Sequence, residues 1–302
     1  MNNTLSICTA TYNRAYKILK LYESLNKQTD KNFEWIVIDD ESNDNTQELI
    51  SKCENQDNGY KIKYIKQKHG GKHRAINRAV DIAEGDYIFI VDSDDYITQN
   101  AVELIHKWIS SCVDNYMIAG VAGLKIAVDG RIYGGNTKIK RNYVDASNFE
   151  RAKYHLYGDK AEVYRRDLLM KYKFPEYEGE YFITEDICWL NIAAEGLKIR
   201  WYNEPIYIAE YLDDGLSKSG ANDIKGHKNN FKGYCLYISE CIKKKPFTQR
   251  LIHLKEYNKT CNCLKIGLKK RSKLIGISIA KYLRMYWFGI PIGYLIRKIR
   301  KY

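Results

Sequence analysis

The sequence predicts an α/β protein with a mixed central sheet, a parallel first half, and a helical, basic C-terminal tail. Two observations support the parallel half. Over residues 1–115, four short apolar stretches alternate with amphipathic helical stretches, an order typical of parallel strands joined by right-handed crossovers. The fourth stretch, Tyr87–Val91, consists entirely of apolar or aromatic residues, which is typical of a strand buried on both faces.

The four predicted strands are short and each is followed by a helix. They are Leu5–Thr9, Glu34–Ile38, Ile62–Ile65 and Tyr87–Val91. Apolar residues recur at helical spacing after each strand, and the third helix is predicted over Lys72–Ala83. Neither Gly-x-Gly-x-x-Gly nor a Walker A motif occurs, so a hydride-transfer enzyme and a P-loop kinase are both poor fits.

Residues 116–225 show a mixed pattern. A hairpin is predicted around the Asp129-Gly130 turn, and a helix is predicted to begin at Thr184–Asp186. Two short strands are predicted at Ile199–Tyr202 and Ile206–Ile208. We therefore expect one α/β domain over residues 1–225, with halves at 1–115 and 116–225, and a helical region over 226–302.

The net charge of +12 is concentrated near the C-terminus. No Asp or Glu follows Glu256, whereas twelve Lys and Arg residues do, so residues 1–256 are formally neutral. The eight cysteines are scattered without the spacing of a zinc or redox site, and the first four residues are polar. We expect a cytosolic protein with reduced thiols and no signal peptide.

Three carboxylates follow the fourth strand at once, namely Asp92, Asp94 and Asp95. In open α/β sheets, ligands bind beyond the carboxyl ends of the strands. Carboxylates this close repel one another, and a divalent cation that also binds phosphate oxygens would relieve the repulsion. The alternative is an acidic turn that caps the next helix, which begins near Asn100.

Three further segments, taken in order with these acids, resemble family 2 glycosyltransferases. Thr9–Arg14 follows strand one, Val37–Thr46 overlaps and follows strand two, and Gly71-Lys72 with Ala75 and Asn77 opens helix three. Asp92-Ser93-Asp94-Asp95 is similar to the DxD motif of that family. Each segment alone is a weak signal, but the four in this order are specific.

Later segments resemble a bacterial subgroup that builds surface polysaccharides. These segments are Gly158–Val163, Thr184–Asp186 and Glu210–Ser217. The resemblance covers about residues 4–220. It implies a GT-A fold with a Rossmann-like nucleotide-binding half, and a hexosyltransferase that moves a sugar with inversion from a UDP-sugar to a saccharide hydroxyl.

The resemblance also implies the site residues and the cofactor. It implies that Asp94 and Asp92 bind Mn²⁺ or Mg²⁺. It also implies that Tyr12 and Asp39 contact uridine, although Tyr12 could instead be an ordinary surface-packing residue. Lys72 and Arg74 have the chemistry to hold phosphates, or to form a solvated basic helix face. The residues expected to hold the nucleotide sugar are Thr9, Thr11, Tyr12, Arg14, Asp39, Asp40, Lys72, Asn77, Asp92 and Ser93. Some relatives have a further histidine ligand, which the stretch from Ile208 to Gly215 lacks.

Inverting transfer needs a base that removes a proton from the attacking hydroxyl. The resemblance implies Asp186 for this role, with Glu185 beside it. An equally good reading of Thr184–Asp186 is a helix-capping sequence, and one residue can serve both purposes.

The tail over residues 265–302 mixes basic residues with apolar and aromatic ones. Lys281 and Arg284 interrupt its apolar run, and Pro291 would divide it into two short helices. We expect it to adsorb to an anionic membrane, which places the enzyme on the inner face of the plasma membrane with a lipid-linked oligosaccharide as acceptor. The alternative is a helical pair packed on the protein.

Two other functions are weighed against the transferase. A sugar-1-phosphate nucleotidyltransferase would need a glycine-rich loop after strand one, and Thr9–Arg14 contains no glycine. A nucleic-acid-binding protein would have to act through the tail, because the formally neutral body has no such motif; we expect no nucleic-acid partner. The sequence leaves open which sugar, which acceptor and which oligomeric state apply.

Overall fold

The computed structural model describes residues 4–210 and 223–288. The chain divides into two compact units. The first unit is Met1–Phe174 with Asn191–Tyr211, and the second is Pro175–Leu190 with Leu212–Tyr302. The domain limit at residue 225 stays a prediction, and the two units are described in turn.

The first half of the sheet is parallel, as predicted. Its strands β1 (Leu5–Thr11), β2 (Phe33–Asp39), β3 (Lys61–Lys66) and β4 (Tyr87–Ile90) lie in the order β3-β2-β1-β4. The helices that follow them are α1 (Ala15–Asn26), α2 (Thr46–Glu54), α3 (Lys72–Ile82) and α4 (Ala101–Ser110). β1 and β2 are buried at nearly every position, because helices cover a parallel sheet on its faces.

The second half makes the sheet mixed, which also agrees with the predicted fold class. It contains β5 (Tyr96–Ile97), β6 (Ile118–Ala127), β7 (Tyr143–Ala146), β8 (Lys160–Arg165) and β9 (Lys198–Ala209), with the short helix α5 (Arg166–Lys171) after β8. β8 lies antiparallel between β4 and β6, and β6 runs parallel to β9. β5 and β7 both pair antiparallel with β9.

Two local predictions need correction. The two short strands expected between residues 199 and 208 are one strand, β9, whose pairing with β6 shifts register opposite Ala122–Leu124. Pro205 has no N–H to donate to the neighbouring strand. The shift in register at this position allows β9 to continue past Pro205. The hairpin at Asp129-Gly130 turns as predicted, but its second arm makes only one isolated bridge, Ile126 to Ile132, and is not a strand.

Large aromatic side chains fill the core of the first unit. Trp35 and Phe89 are fully buried, and Trp108 stacks on Tyr202 with 4.3 Å between ring centroids. Each such side chain removes a large apolar area from water, which is the main favourable term in folding.

The second unit is helical in its described part. It contains the start of α6 (Asp186–Ala194), then α7 (Ile224–Asn229), α8 (Phe231–Lys244), α9 (Phe247–Cys263), α10 (Leu268–Leu274) and helical residues 279–288. Tyr257, Cys261, Ile275 and Tyr282 are fully buried in its core, so the beginning of the tail packs on α8 and α9.

Arg271 is a structural residue and not a surface charge of the tail. It is buried and donates hydrogen bonds to the Ile266 carbonyl at 2.7 Å and to the Asn258 and Asn262 side chains at 3.1 and 2.6 Å. Pro291 and the rest of the tail lie outside the described residues. Within residues 4–210 and 223–288, no helix is both long enough and apolar enough to cross a membrane.

Candidate active site

The predicted nucleotide residues gather at the carboxyl edge of the parallel strands. β1 and β2 end in register, with Thr11 opposite Asp39, and β4 runs into Asp92 on the other side of β1. Loops that follow adjacent parallel strands share this edge, which is where α/β sheets bind their ligands.

Backbone hydrogen bonds tie the loop after β1 to the loop after β2. The Asn13 N–H donates to Ser42 Oγ at 2.8 Å, and the Asn43 N–H donates to Asn13 Oδ1 at 2.8 Å. Asn13 has a φ of 52°, a left-handed conformation that asparagine tolerates better than most residues. The loop presents Tyr12, which is 44% exposed and stacks on His69 with ring centroids 4.5 Å apart.

Asp39 and Asp40 are both buried and both hold backbone. Asp39 accepts from the Ser42 N–H at 2.7 Å and from the Tyr64 hydroxyl at 2.5 Å. Burial, and then the adjoining Asp39, raise the pKa of Tyr64, so its hydroxyl keeps the proton that it donates. Asp39 thus has one hydrogen bond on each oxygen, which leaves capacity for a further donor.

Asp40 fixes the turn before α3. One carboxylate oxygen accepts from the Gly70 N–H and Gln67 Nε2, each at 2.9 Å, and the other accepts from the Gly71 N–H at 2.7 Å and lies 2.9 Å from His69 Nδ1. Gly71 has a φ of 91°, where a side chain would be strained. The turn places Lys72 at the first position of α3.

Lys72 forms an ion pair with Asp92, with 2.5 Å between Nζ and Oδ1. Burial disfavours the charged form of Asp92, but Lys72 and Lys125 outweigh it and hold the pKa of Asp92 below its usual value. The Asp92 N–H also donates to the Tyr207 hydroxyl at 3.0 Å. Asp92 is therefore an ionised carboxylate with a fixed backbone.

Asp94 differs from its neighbours because no cation within the described residues pairs with it. Burial, and then the nearby Asp92 and Asp95 carboxylates, raise the pKa of Asp94. This is the electrostatic setting that a divalent cation would relieve, so Asp94 fits the predicted metal ligand. Residues 4–210 and 223–288 contain no group of three or more His, Cys, Asp or Glu side chains that could hold a metal ion.

Asp95 anchors the acidic loop to the sheet, a role the sequence did not reveal. Its carboxylate accepts from the Tyr207 hydroxyl at 2.7 Å and the Glu210 N–H at 2.9 Å, and Lys125 Nζ lies 3.2 Å away. The ammonium of Lys125 also lies over the ring of Tyr207, 4.3 Å from its centroid. These partners come from β6, from β9 and from the residue that follows β9, and no local pattern links them to Asp95.

Two of the predicted residues use their side-chain polar groups in hydrogen bonds within the protein. Thr9 is fully buried and accepts a hydrogen bond from Trp35 at 3.0 Å, and Asn77 exchanges two hydrogen bonds of 2.9 Å with the backbone of Phe174. We leave Thr9 and Asn77 out of the proposed site. Thr11 has a buried hydroxyl with no hydrogen-bond partner among the described residues, which a ligand could satisfy.

The remaining predicted residues lie on loops or in the second unit. Arg14 donates to the Tyr16 hydroxyl at 3.0 Å, and Ser93 is buried within the acidic loop. In the second unit, Asp186 is the first residue of α6 and its carboxylate accepts from the Tyr237 hydroxyl at 3.1 Å. Glu185 precedes it, and its carbonyl accepts from the Cys188 N–H at 3.0 Å.

Proteins of known sequence that resemble this chain include glycosyltransferases. GlyG, a glycosyltransferase of Streptococcus pneumoniae serotype 4, is 34% identical over 109 residues, which are 36% of this chain and only 36% of that protein. The Campylobacter jejuni GalNAc(5)-diNAcBac-PP-undecaprenol beta-1,3-glucosyltransferase is 25% identical over 263 residues, which are 85% of this chain and 79% of that protein.

Solved structures share the fold. Staphylococcus aureus TarS 1-349 in complex with UDP-GlcNAc has a TM-score of 0.66 at 21% identity, over 90% of this chain and 79% of that chain. The Pyrobaculum calidifontis mannosyltransferase PcManGT, in complex with GDP-Man and Mn²⁺, has a TM-score of 0.55 at 13% identity, over 96% of this chain and 75% of that chain. The predicted GT-A fold is confirmed.

The family model described as Glycosyl transferase family 2 matches residues 6–173, more than half of the chain. The matched range contains all four of the segments that meet at the carboxyl edge of the sheet. The protein is an enzyme that transfers glycosyl groups, and the chain belongs to glycosyl transferase family 2.

Proposed function

We propose that the enzyme moves a sugar with inversion from a UDP-sugar to a hydroxyl of a saccharide acceptor and requires a divalent cation. The observation that carries the proposal is the carboxyl edge of the parallel strands. There an exposed aromatic ring, a helix N-terminus with Lys72, and the carboxylate of Asp94, which has no ion pair among the described residues, come from three connected loops. Family membership favours this activity over nucleotidyl transfer and nucleic-acid binding.

The base and the ribose are assigned to the loops after β1, β2 and β4. The exposed ring of Tyr12 offers a face on which uracil stacks, and His69 supports that ring from one side. Asp39 has unused acceptor capacity for the uracil imide N–H. Asp92 is assigned to the ribose, because its carboxylate is ionised and its backbone is fixed by Tyr207. A complex of TarS with UDP-GlcNAc supports a UDP-sugar as donor.

The diphosphate is assigned to Lys72, to the N-terminus of α3, and to a cation held by Asp94 and Asp92. The partial positive charge of a helix N-terminus favours anions, and Lys72 adds a full charge. A bound divalent cation supplies positive charge that stabilises the departing diphosphate. The neighbour complex that contains Mn²⁺ supports Mn²⁺ or Mg²⁺ as that ion.

Asp186 is assigned as the base that removes the proton from the acceptor hydroxyl. The Tyr237 hydroxyl donates to one of its oxygens, which fixes the carboxylate and leaves the other oxygen to accept the proton. Burial and the adjacent Asp186 raise the pKa of Tyr237, so this hydroxyl remains a donor at neutral pH. Glu185 is the neighbouring acid.

The acceptor is proposed to be a lipid-linked oligosaccharide at the inner face of the plasma membrane. The name of the Campylobacter jejuni relative, which contains PP-undecaprenol, supports a lipid-linked acceptor. In helical residues 279–288, Lys281 and Arg284 are exposed together with Trp287 and Phe288, which are 67% and 53% exposed. Basic and aromatic side chains on one helix surface suit adsorption to anionic lipid.

The test is donor hydrolysis without an acceptor. Purified full-length protein is incubated with UDP-, GDP- and dTDP-sugars, with and without Mn²⁺. The proposal expects one UDP-sugar to be consumed slowly and only with the metal. Asp94→Asn should abolish the reaction, whereas Asp57→Asn, which changes an exposed acid after α2, should not. Consumption that needs no metal or persists in Asp94→Asn would contradict the donor-site assignment.

A further inference from the structure

The second unit contains a cavity of about 270 Å³ at the start of α6. Its lining includes Asp186, Tyr237, Thr184 and the stacked pair His227 and Tyr234. This volume is slightly below the roughly 300–1,000 Å³ typical of small-molecule sites, so it suits one small ring rather than an extended chain.

Hydrogen bonds between side chains and backbone hold the walls of this cavity. Glu180 accepts from the Lys232 and Gly233 N–H groups at 2.7 and 2.8 Å at the N-terminus of α8. Asn230 accepts from the Tyr181 and Phe182 N–H groups at 2.8 and 2.9 Å. The segment before α6 is thereby fixed to α8.

Close packing also sets the shape of the wall. A methyl group on Gly233 would lie 3.0 Å from Ile183 Cγ1 and 3.2 Å from Glu180 Oε2. A larger residue here would push the lining segment aside, so glycine permits the close approach of α8 to residues 180–183.

The chemistry of the lining favours an uncharged ligand with hydroxyl groups. His227 and Tyr234, which both line the cavity, stack with ring centroids 3.7 Å apart and an interplanar angle of 9°. Burial lowers the pKa of His227, so its ring is neutral at physiological pH. No Lys or Arg lines the cavity within the described residues, so a phosphate would find no counter-charge there.

Asp186 is the charged group of the described lining, and it is a hydrogen-bond acceptor. An acceptor carboxylate beside aromatic side chains is complementary to a pyranose, which has hydroxyl donors at its edge and C–H groups on its faces. The Tyr237 hydroxyl occupies one side of Asp186 at 3.1 Å and orients the carboxylate. Tyr237 is thus a positioning residue.

We infer that this cavity binds one sugar ring of the acceptor and presents its hydroxyl to Asp186. The inference rests on the proposed function and extends it, because it names the acceptor-binding residues. It assigns His227 and Tyr234 as the stacking wall and Thr184 as part of the rim that limits ring size.

The test measures binding of simple sugars by saturation-transfer difference NMR. Full-length protein is titrated with the methyl β-glycosides of glucose, galactose, N-acetylglucosamine and N-acetylgalactosamine. We expect at least one to bind. Thr184→Leu, which puts a larger side chain into the lining, should weaken that binding by about tenfold or more. Asp186→Asn should weaken it by about fivefold, because a hydrogen bond to a charged acceptor becomes one to a neutral acceptor.

The matched control is Thr248→Leu, the same substitution at an exposed position near the start of α9. It should bind as the unmutated chain does. Equal affinity in Thr184→Leu and Thr248→Leu, or no binding of any glycoside to the unmutated chain, would overturn the inference. Mn²⁺-dependent UDP binding by the unmutated chain is measured in parallel, since its absence would refute the proposed function independently of the glycoside result.

Discussion

Replacing Asp40 with Asn should loosen the Gly70-Gly71 turn and weaken the binding of UDP. The Asp40 carboxylate faces four partners, two on each oxygen. An Asn side chain has one oxygen, so its NH₂ group must face two of them. In either orientation one of the two buried glycine N–H groups then meets a donor and loses its acceptor.

The magnitude follows from these contacts. A hydrogen bond to a charged group is worth about 1.5–3 kcal/mol, and a buried donor left unsatisfied costs about 1–3 kcal/mol. Allowing for relaxation, Asp40→Asn should lower the free energy of unfolding by about 2–4 kcal/mol. For a unit of this size that lowers the Tm by roughly 5–15 °C, measured by differential scanning calorimetry.

The same change should act on the ligand, since the turn positions Lys72 and the N-terminus of α3. We expect the affinity for UDP to fall by about tenfold or more at a temperature where the variant is folded. Asp57→Asn is the control, because Asp57 is exposed. If Asp40→Asn and Asp57→Asn have the same Tm and the same affinity for UDP, the Asp40 carboxylate does not hold the Gly70-Gly71 turn and the prediction is refuted.

Three further predictions concern the acidic loop, the sheet and the tail. Tyr207→Phe removes the hydroxyl that bridges to Asp95 and should weaken Mn²⁺-dependent UDP binding about tenfold by calorimetry. Glu34→Gln should lower the free energy of unfolding in urea by about 1–3 kcal/mol near neutral pH, because Glu34 pairs with Lys63 at 2.7 Å. Burial opposes ionisation of Glu34, but hydrogen bonds hold its pKa below the ordinary 4.5, so this difference should persist above about pH 4.5 and shrink as the pH falls further. Trp287→Ser should reduce co-sedimentation of the protein with phosphatidylserine vesicles severalfold.

Matched substitutions at exposed positions control these three predictions. Tyr116→Phe should leave UDP binding unchanged, Glu54→Gln should change the free energy of unfolding by less than about 0.5 kcal/mol, and Tyr116→Ser should leave vesicle binding intact. Normal UDP affinity in Tyr207→Phe would show that the anchoring of Asp95 does not contribute to UDP binding. If the loss of unfolding free energy in Glu34→Gln does not depend on pH, packing and not charge explains the loss. Equal vesicle binding by Trp287→Ser and the unmutated chain would count against the membrane proposal.

The parallel half of the fold was predictable because its signals are local. Three of the four strands are short and mostly apolar, β3 alternates Lys with apolar residues, each helix repeats its apolar residues at helical spacing, and the acids follow the strand ends directly. The order of the strands in the sheet could not be predicted from such local signals. β8 enters between β4 and β6 because residues more than seventy positions apart pair, as Phe89 does with Val163, and no periodicity reports such pairing.

The site was predictable as a region, but not in its supporting contacts. The motif residues at strand ends were found, whereas Lys125 and Tyr207, which hold the acidic loop, are distant in sequence and ordinary in pattern. Thr9 is not free because β1 is buried on both of its faces, as the fully buried Ile7 and Cys8 on opposite sides of the strand show. The cavity beside Asp186 depends on the packing of α8 against residues 180–186, which no single segment indicates.

The most direct measurement is isothermal titration calorimetry of UDP against the full-length protein, with and without Mn²⁺, for the unmutated chain, Asp94→Asn and Asp57→Asn. We predict binding that requires Mn²⁺, is weakened by about tenfold or more in Asp94→Asn, and is unchanged in Asp57→Asn. Equal binding by the unmutated chain and Asp94→Asn, or no Mn²⁺-dependent binding at all, would contradict the assignment of the donor and its cation to the carboxyl edge of the sheet.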